Sequence, residues 1–225
     1  MKKAPPDRRA IVLWLFDLDG TLVDTLPDLY TALVEVCRHH KRSPPAQERT
    51  REVASRGVRA MLELVWGEKA DPALLSQLRE EFIDSYRLHV ADQSRPMAGI
   101  EELLEAITRR GRAWGIVTNK PASLTHPLVQ ALELPSRPCV VISGDSSPYP
   151  KPHPAPVMDA LAQAHRKPHE AAFIGDAEND VRAGRAAGVL TLVALWGYLA
   201  SGDEPGSWQA DGLARTPADL ENWLD

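Results

Sequence analysis

The chain has 225 residues, with 26 Lys and Arg against 31 Asp and Glu and a formal net charge of -5. That length exceeds a typical single domain and falls short of two, which suits a core carrying a smaller insertion. The acidic balance argues against a nucleic-acid partner, because no basic surplus exists to neutralise a phosphate backbone. No stretch approaches the roughly 18 to 20 apolar residues that span a bilayer, so no membrane partner is expected.

Met1-Lys2-Lys3 resembles the basic start of a secretory signal, but the apolar run Ile11 to Phe16 is too short and ends in Asp17. A soluble, cytoplasmic protein is expected. That run ends in Asp17-Leu18-Asp19-Gly20-Thr21-Leu22-Val23, which puts two carboxylates and a hydroxyl where a buried strand stops. Asp and Gly favour turns, so the chain should leave the sheet at Asp17 and keep Asp17 and Asp19 close. A small hard cation such as Mg²⁺ would relieve the repulsion between them.

From Asp24 to about Met97 the pattern is helical. Leu26, Leu29, Tyr30, Leu33 and Val36 recur at helical spacing; Val58 to Trp66 follows, then Leu74 to His89 with Leu75, Leu78, Phe82 and Tyr86 on one face. Ser43-Pro44-Pro45 divides the first two helices, and Trp66, Phe82 and Tyr86 read as core of this segment. Cys37 and Cys139 lack metal-ligand spacing and read as packing residues, and His39-His40 as a helix end.

From Gly99 onward, apolar runs alternate with helical stretches. The runs are Ala113 to Val117, Cys139 to Ile142, Ala171 to Ile174 and Leu190 to Ala194; the helices are Ile100 to Arg110, Pro121 to Leu132, Pro154 to Ala164 and Asp180 to Ala187, with a last one at Pro217 to Leu224. Continuous rather than alternating apolar runs indicate parallel strands covered on both faces. The fold class is therefore α/β, a Rossmann-like parallel sheet with an inserted α-helical cap. The core spans 1–23 and 98–225, and the cap 24–97.

Parallel strands gather their carboxyl ends on one rim, which brings Asp17, Thr118 and Asp176 together. There Asp17 can attack phosphorus, and Asp19 can protonate the departing alkoxide and then deprotonate water. Thr118 and Asn119 can hold phosphoryl oxygens, and Lys151 can neutralise charge on Asp17 and on the phosphoryl group. Asp176 completes the metal site, and Asp180 can orient a metal-bound water or the lysine.

Asp17-Leu18-Asp19-Gly20-Thr21, Val117-Thr118-Asn119, Lys151-Pro152 and Gly175-Asp176-Ala177-Glu178-Asn179-Asp180 resemble the four ordered motifs of the haloacid-dehalogenase superfamily. The resemblance covers essentially the whole chain. It implies an Asp17 nucleophile, an Asp19 acid/base, and Mg²⁺ held by Asp17, the Asp19 main-chain carbonyl and Asp176.

Finer similarity points to the phosphoglycolate-phosphatase-like branch. Within it, Trp114 to Ala122, Lys151-Pro152-His153-Pro154, Ala183 to Gly188 and Thr191 to Tyr198 resemble the N-acetylmuramic acid 6-phosphate phosphatases of peptidoglycan recycling. Trp196 stands where tyrosine is expected, and Arg56 in Ser55-Arg56-Gly57 where that group tends to carry histidine. Arg56 and Gly57, in a cap loop, are expected to face a small phosphorylated metabolite. A phosphoglycolate phosphatase, a sugar phosphomutase and a non-catalytic binding protein of the same fold remain alternatives.

Overall fold

The structure, a computed structural model, describes residues 10–224, so Met1-Lys2-Lys3 lies outside the described residues. In chain order its strands are β1 (Leu13–Phe16), β2 (Val23–Asp24), β3 (Arg95–Pro96), β4 (Ala113–Val117), β5 (Val141–Ile142), β6 (Ala171–Gly175), β7 (Leu190–Ala194) and β8 (Gly212–Ala214). The α-helices are α1 (Leu26–His39), α2 (Gln47–Ala54), α3 (Val58–Trp66), α4 (Pro72–Leu88), α5 (Ile100–Arg109), α6 (Ala122–Ala131), α7 (Ala155–Gln163) and α8 (Glu178–Ala187).

Among the described residues, six strands form one parallel sheet in the order β5-β4-β1-β6-β7-β8. The chain builds outward from β1 through β4 to β5, then returns to the other side of β1 to lay down β6. The carboxyl ends of β1, β4 and β6 therefore border a topological switch point, where open α/β sheets form a crevice.

Alternation along β1 divides the core. Trp14 and Phe16 pack with Leu103, Leu104 and Ile107 of α5 on one face. Leu13 and Leu15 pack with Val157, Ala160 and Leu161 of α7 and Ala183 of α8 on the other. All four β1 side chains are fully buried, as a strand covered on both faces requires. Leu13, Leu15 and Phe16 each contribute about 1.5 to 3 kcal/mol of burial free energy.

The helical insertion has its own core, with Leu29, Leu33 and Val36 of α1 against Met61 and Leu62 of α3 and Leu75, Leu78, Phe82 and Tyr86 of α4. Pro72 begins α4, and Asp71 caps it by accepting the Ala73 N–H at 3.0 Å. Leu124 of α6 joins the same cluster and so ties the insertion to the rim of the sheet.

The insertion leaves and rejoins the core through the antiparallel ribbon β2–β3, where Val23 faces Pro96 and Asp24 faces Arg95. Buried Asp28, in the first turn of α1, pins the returning strand. It accepts the Gln93 N–H at 2.9 Å, the Ser94 N–H at 2.8 Å and the Ser94 hydroxyl at 2.6 Å.

Four local details differ from expectation. A polar helix, α2, lies between Ser43-Pro44-Pro45 and Val58; it buries only Thr50 and Ala54. The run from Cys139 forms regular strand only at Val141–Ile142, on the sheet edge, and the Cys139 side chain is exposed instead of packed. Strand β8 adds a short outer edge. The last helix is a 3₁₀ segment, Pro217–Trp223.

Replacing Asp28 by Ala removes a buried acceptor of several hydrogen bonds. Chemical denaturation is expected to show a loss of about 2 to 4 kcal/mol, with Asp28→Asn costing less. A loss below about 1 kcal/mol would show that the ribbon holds without this pin.

Candidate active site

The first loop continues the ladder of β1 for one residue, with the Asp17 N–H donating to the Ile174 carbonyl at 2.8 Å, and then turns sharply. Leu22 and Val23 donate to the Leu18 carbonyl at 3.1 and 2.9 Å, and Gly20 donates to Val23 at 2.8 Å. Gly20 has φ of +83°, and a Cβ there would meet Asp176 Oδ2 at 2.6 Å and the Tyr198 ring at 2.7 Å. Only glycine satisfies both the left-handed backbone and the close approach.

Two lysines divide the two acids between them. Lys151 Nζ lies 2.7 Å from Asp17 Oδ1, 2.7 Å from Asp180 Oδ1 and 2.9 Å from the Val117 carbonyl, which commits all three ammonium protons. Lys120 Nζ lies 2.8 Å from Asp19 Oδ1, and the Thr25 hydroxyl donates to that same oxygen at 2.6 Å. Burial works against the charge on both lysines, yet the adjoining carboxylates hold both ammonium groups above the ordinary lysine value.

Asp176 is almost fully buried, accepting the Thr21 hydroxyl at 2.9 Å and the Tyr198 N–H at 2.7 Å. Burial, with Asp17 and Asp180 beside it, pushes its carboxyl up to about 8. Burial pushes Asp17 up to about 6, against the pull of Lys151 and with Asp180 adding to the rise. Oxygens of Asp17, Asp176 and Asp180 all lie within 4.8 Å of one another. Three carboxylates around one ammonium leave an excess of negative charge out of water, and an all-oxygen donor set of this kind fits a hard divalent cation.

Both Asp180 oxygens are engaged, one by Lys151 and one by the Ala177 N–H at 3.0 Å. Asp180 thus orients the lysine and caps α8. The Asp19 side chain is directed toward Thr25 and Lys120.

Thr118 Oγ1 accepts the Lys120 N–H at 3.1 Å, leaving its own O–H to donate. The Asn119 side chain is engaged elsewhere, donating to the Lys151 carbonyl at 3.0 Å and accepting the Lys151 N–H at 2.9 Å. It acts first as a clamp on the Lys151 loop. The Lys151 ammonium protons are all directed at protein oxygens, and one of the two Asn119 amide hydrogens is held by the Lys151 carbonyl.

A cavity of about 290 Å³ opens over these groups, between the sheet rim and the insertion. Asp17, Asp19, Thr118 and Lys151 line its floor, and Arg56, Gly57, Met61, Phe82, Ile83 and Tyr86 line its upper wall. Phe82 and Tyr86 serve both as core of the insertion and as lining. Arg56 reaches the cavity while pairing with Asp203 at 3.6 Å. A larger groove of about 570 Å³ beside His126, Leu134 and Arg137 holds none of the carboxylates.

Tyr198 joins the insertion to the acid cluster. Its hydroxyl accepts the Thr25 and Leu26 N–H groups at 2.7 and 2.9 Å and donates to Asp24 at 2.7 Å, while Arg51 of α2 stacks 4.9 Å above its ring. Sequence reasoning gave no role to Lys120, Thr25 or Tyr198. Lys120 did carry a signal, a cation directly after a strand end that already supplied Thr118 and Asn119.

A family model described as haloacid dehalogenase-like hydrolase matches residues 14–194. The chain is 41% identical over 212 residues to the N-acetylmuramic acid 6-phosphate phosphatase of Pseudomonas aeruginosa, covering 94% of this chain and 93% of that one. It is 38% identical over 203 residues to a phosphoglycolate phosphatase of Xylella fastidiosa, covering 90% and 88%. A solved haloacid dehalogenase-like hydrolase from Streptococcus pneumoniae, 22% identical, superposes with a TM-score of 0.84 over 96% of this chain and 99% of that one and shares the fold. No described helix is long and apolar enough to cross a membrane. Matched along most of its length by that model and by these relatives, the chain belongs to the haloacid dehalogenase-like hydrolase family.

Proposed function

We propose that the protein is a Mg²⁺-dependent phosphomonoesterase that works through a transient phosphoryl ester on Asp17. The observation that carries this reading is the pairing of Asp17 with Lys151 and Asp19 with Lys120, side by side on the floor of one cavity. Two carboxylates with separate partners can take separate roles, one as nucleophile and one as acid and base.

A carboxylate oxygen of Asp17 attacks phosphorus, and the bond to the alcohol oxygen breaks as Asp19 gives that oxygen a proton. Asp19, now ionised, removes a proton from the water that attacks the aspartyl-phosphate, which restores Asp17 and releases inorganic phosphate. Lys151 lowers the charge that an incoming phosphate meets at Asp17, and the Thr118 hydroxyl holds a phosphoryl oxygen that is not transferred. Asp17, the Asp19 main-chain carbonyl and Asp176 would hold Mg²⁺, which supplies neutralisation of the phosphoryl and carboxylate oxygens. Asp180 keeps Lys151 in place.

We further propose that residues 24–97 act as a cap and select the substrate. A cavity of about 290 Å³ with an apolar upper wall of Met61, Phe82 and Ile83 suits a phosphorylated amino sugar bearing acetyl and lactyl groups. It is large for the two-carbon phosphoglycolate. Arg56 at its edge can meet a carboxylate, and the relative 41% identical is an N-acetylmuramic acid 6-phosphate phosphatase. That sugar phosphate is the substrate we favour, with phosphoglycolate, named for relatives 36% to 38% identical, as the second reading. A phosphorylated small molecule and the buried free thiol of Cys37 both suit the cytoplasm.

Chelation is expected to abolish phosphate release and added Mg²⁺ to restore it. Asp17→Asn, nearly isosteric, should lose at least about a thousandfold in turnover with the thermal midpoint little changed. Substantial residual hydrolysis would rule out Asp17 as the nucleophile. Comparing kcat/KM for the two substrates should favour N-acetylmuramic acid 6-phosphate by at least about tenfold, and a preference for phosphoglycolate would reverse the substrate assignment.

A further inference from the structure

Asp19 is clamped as Asp17 is, by residues that lie outside the four ordered motifs. Lys120 is buried, and its backbone is fixed on three sides. Its N–H donates to Thr118 Oγ1 at 3.1 Å, and its carbonyl accepts the Gly144 N–H at 2.8 Å and the Thr125 hydroxyl at 3.0 Å. A side chain anchored this way reaches Asp19 from a preset direction, so little rotamer freedom is lost in making the contact.

Two donors, Lys120 Nζ and the Thr25 hydroxyl, fall on a single oxygen, Asp19 Oδ1. With that oxygen occupied, Oδ2 is the atom left to carry and transfer a proton. Tyr86 of α4 completes the arrangement from the insertion. Its ring centre lies 4.3 Å from Lys120 Nζ. The aromatic face stabilises the ammonium while keeping water from it.

We propose that Lys120 is a positioning residue for Asp19: together with Thr25 it fixes one carboxylate oxygen so that the other delivers its proton to the departing alkoxide, beneath the ring of Tyr86. This rests on the reading of Asp19 as acid and base. Its particular signature is dependence on the leaving group, because an alkoxide needs a proton to depart and p-nitrophenolate does not.

The test measures kcat/KM, which reports the steps through departure of the alcohol, for p-nitrophenyl phosphate and for whichever of the two alkyl esters named above the wild type turns over faster. Lys120→Met should lower the alkyl value by about 100-fold and the p-nitrophenyl value by less than about fivefold, and Lys120→Arg should recover most of the alkyl loss. Thr25→Val removes the other donor to the same oxygen and should show the same selectivity, which keeps the test intact if Lys120→Met does not fold. Equal losses on both esters, or no loss on either, overturn the proposal. Failure of the underlying reading is seen separately, as wild-type protein that hydrolyses neither ester or Asp17→Asn protein that still hydrolyses both.

Discussion

Two acids only two residues apart in sequence repel each other, and in this protein each is met by its own buried ammonium group. Lys151 reaches Asp17 from the loop after β5, and Lys120 reaches Asp19 from the end of β4. Each carboxylate has its own cation, which offsets the repulsion between the two acids. The arrangement is costly to break, because removing either partner leaves an uncompensated charge out of water.

The fold exists around this rim as much as the rim exists on the fold. Strand order places β1 between β4 and β6, so the ends that carry Asp17, Thr118 and Asp176 are neighbours. Tyr198 then ties the acid cluster to the ribbon through which the insertion leaves and returns, with its backbone on Asp176 and its hydroxyl on Asp24, Thr25 and Leu26. Arg51 adds a second tie, donating to the Gly197 carbonyl at 2.9 Å. These contacts join the helices above the cavity to residues that border the acid cluster.

Much of this architecture was legible from residue order. Five apolar runs gave the main strands because both faces of the sheet are covered, and the helical spacing of Leu29, Leu33, Leu75, Leu78 and Phe82 gave the insertion its core. Asp17, Asp19 and Asp176 were legible because each lies at a strand end or within a turn. The missing parts had no such local mark. Helix α2 is polar and buries little, and β8 is three residues long. The contact between Lys120 and Asp19 spans 101 positions, and that between Tyr198 and Thr25 spans 173. Pairings of that kind come from topology. Asn119 illustrates the same limit, since sequence position marked it as part of the site but not that its amide would be turned toward Lys151.

The central claim is that phosphorus passes through an ester with Asp17 before water releases it. Hydrolysis of a substrate whose phosphorus is made chiral with oxygen isotopes, in isotopically labelled water, tests this most directly. Two in-line displacements predict net retention of configuration at phosphorus, and net inversion would show a single direct attack by water and contradict the account.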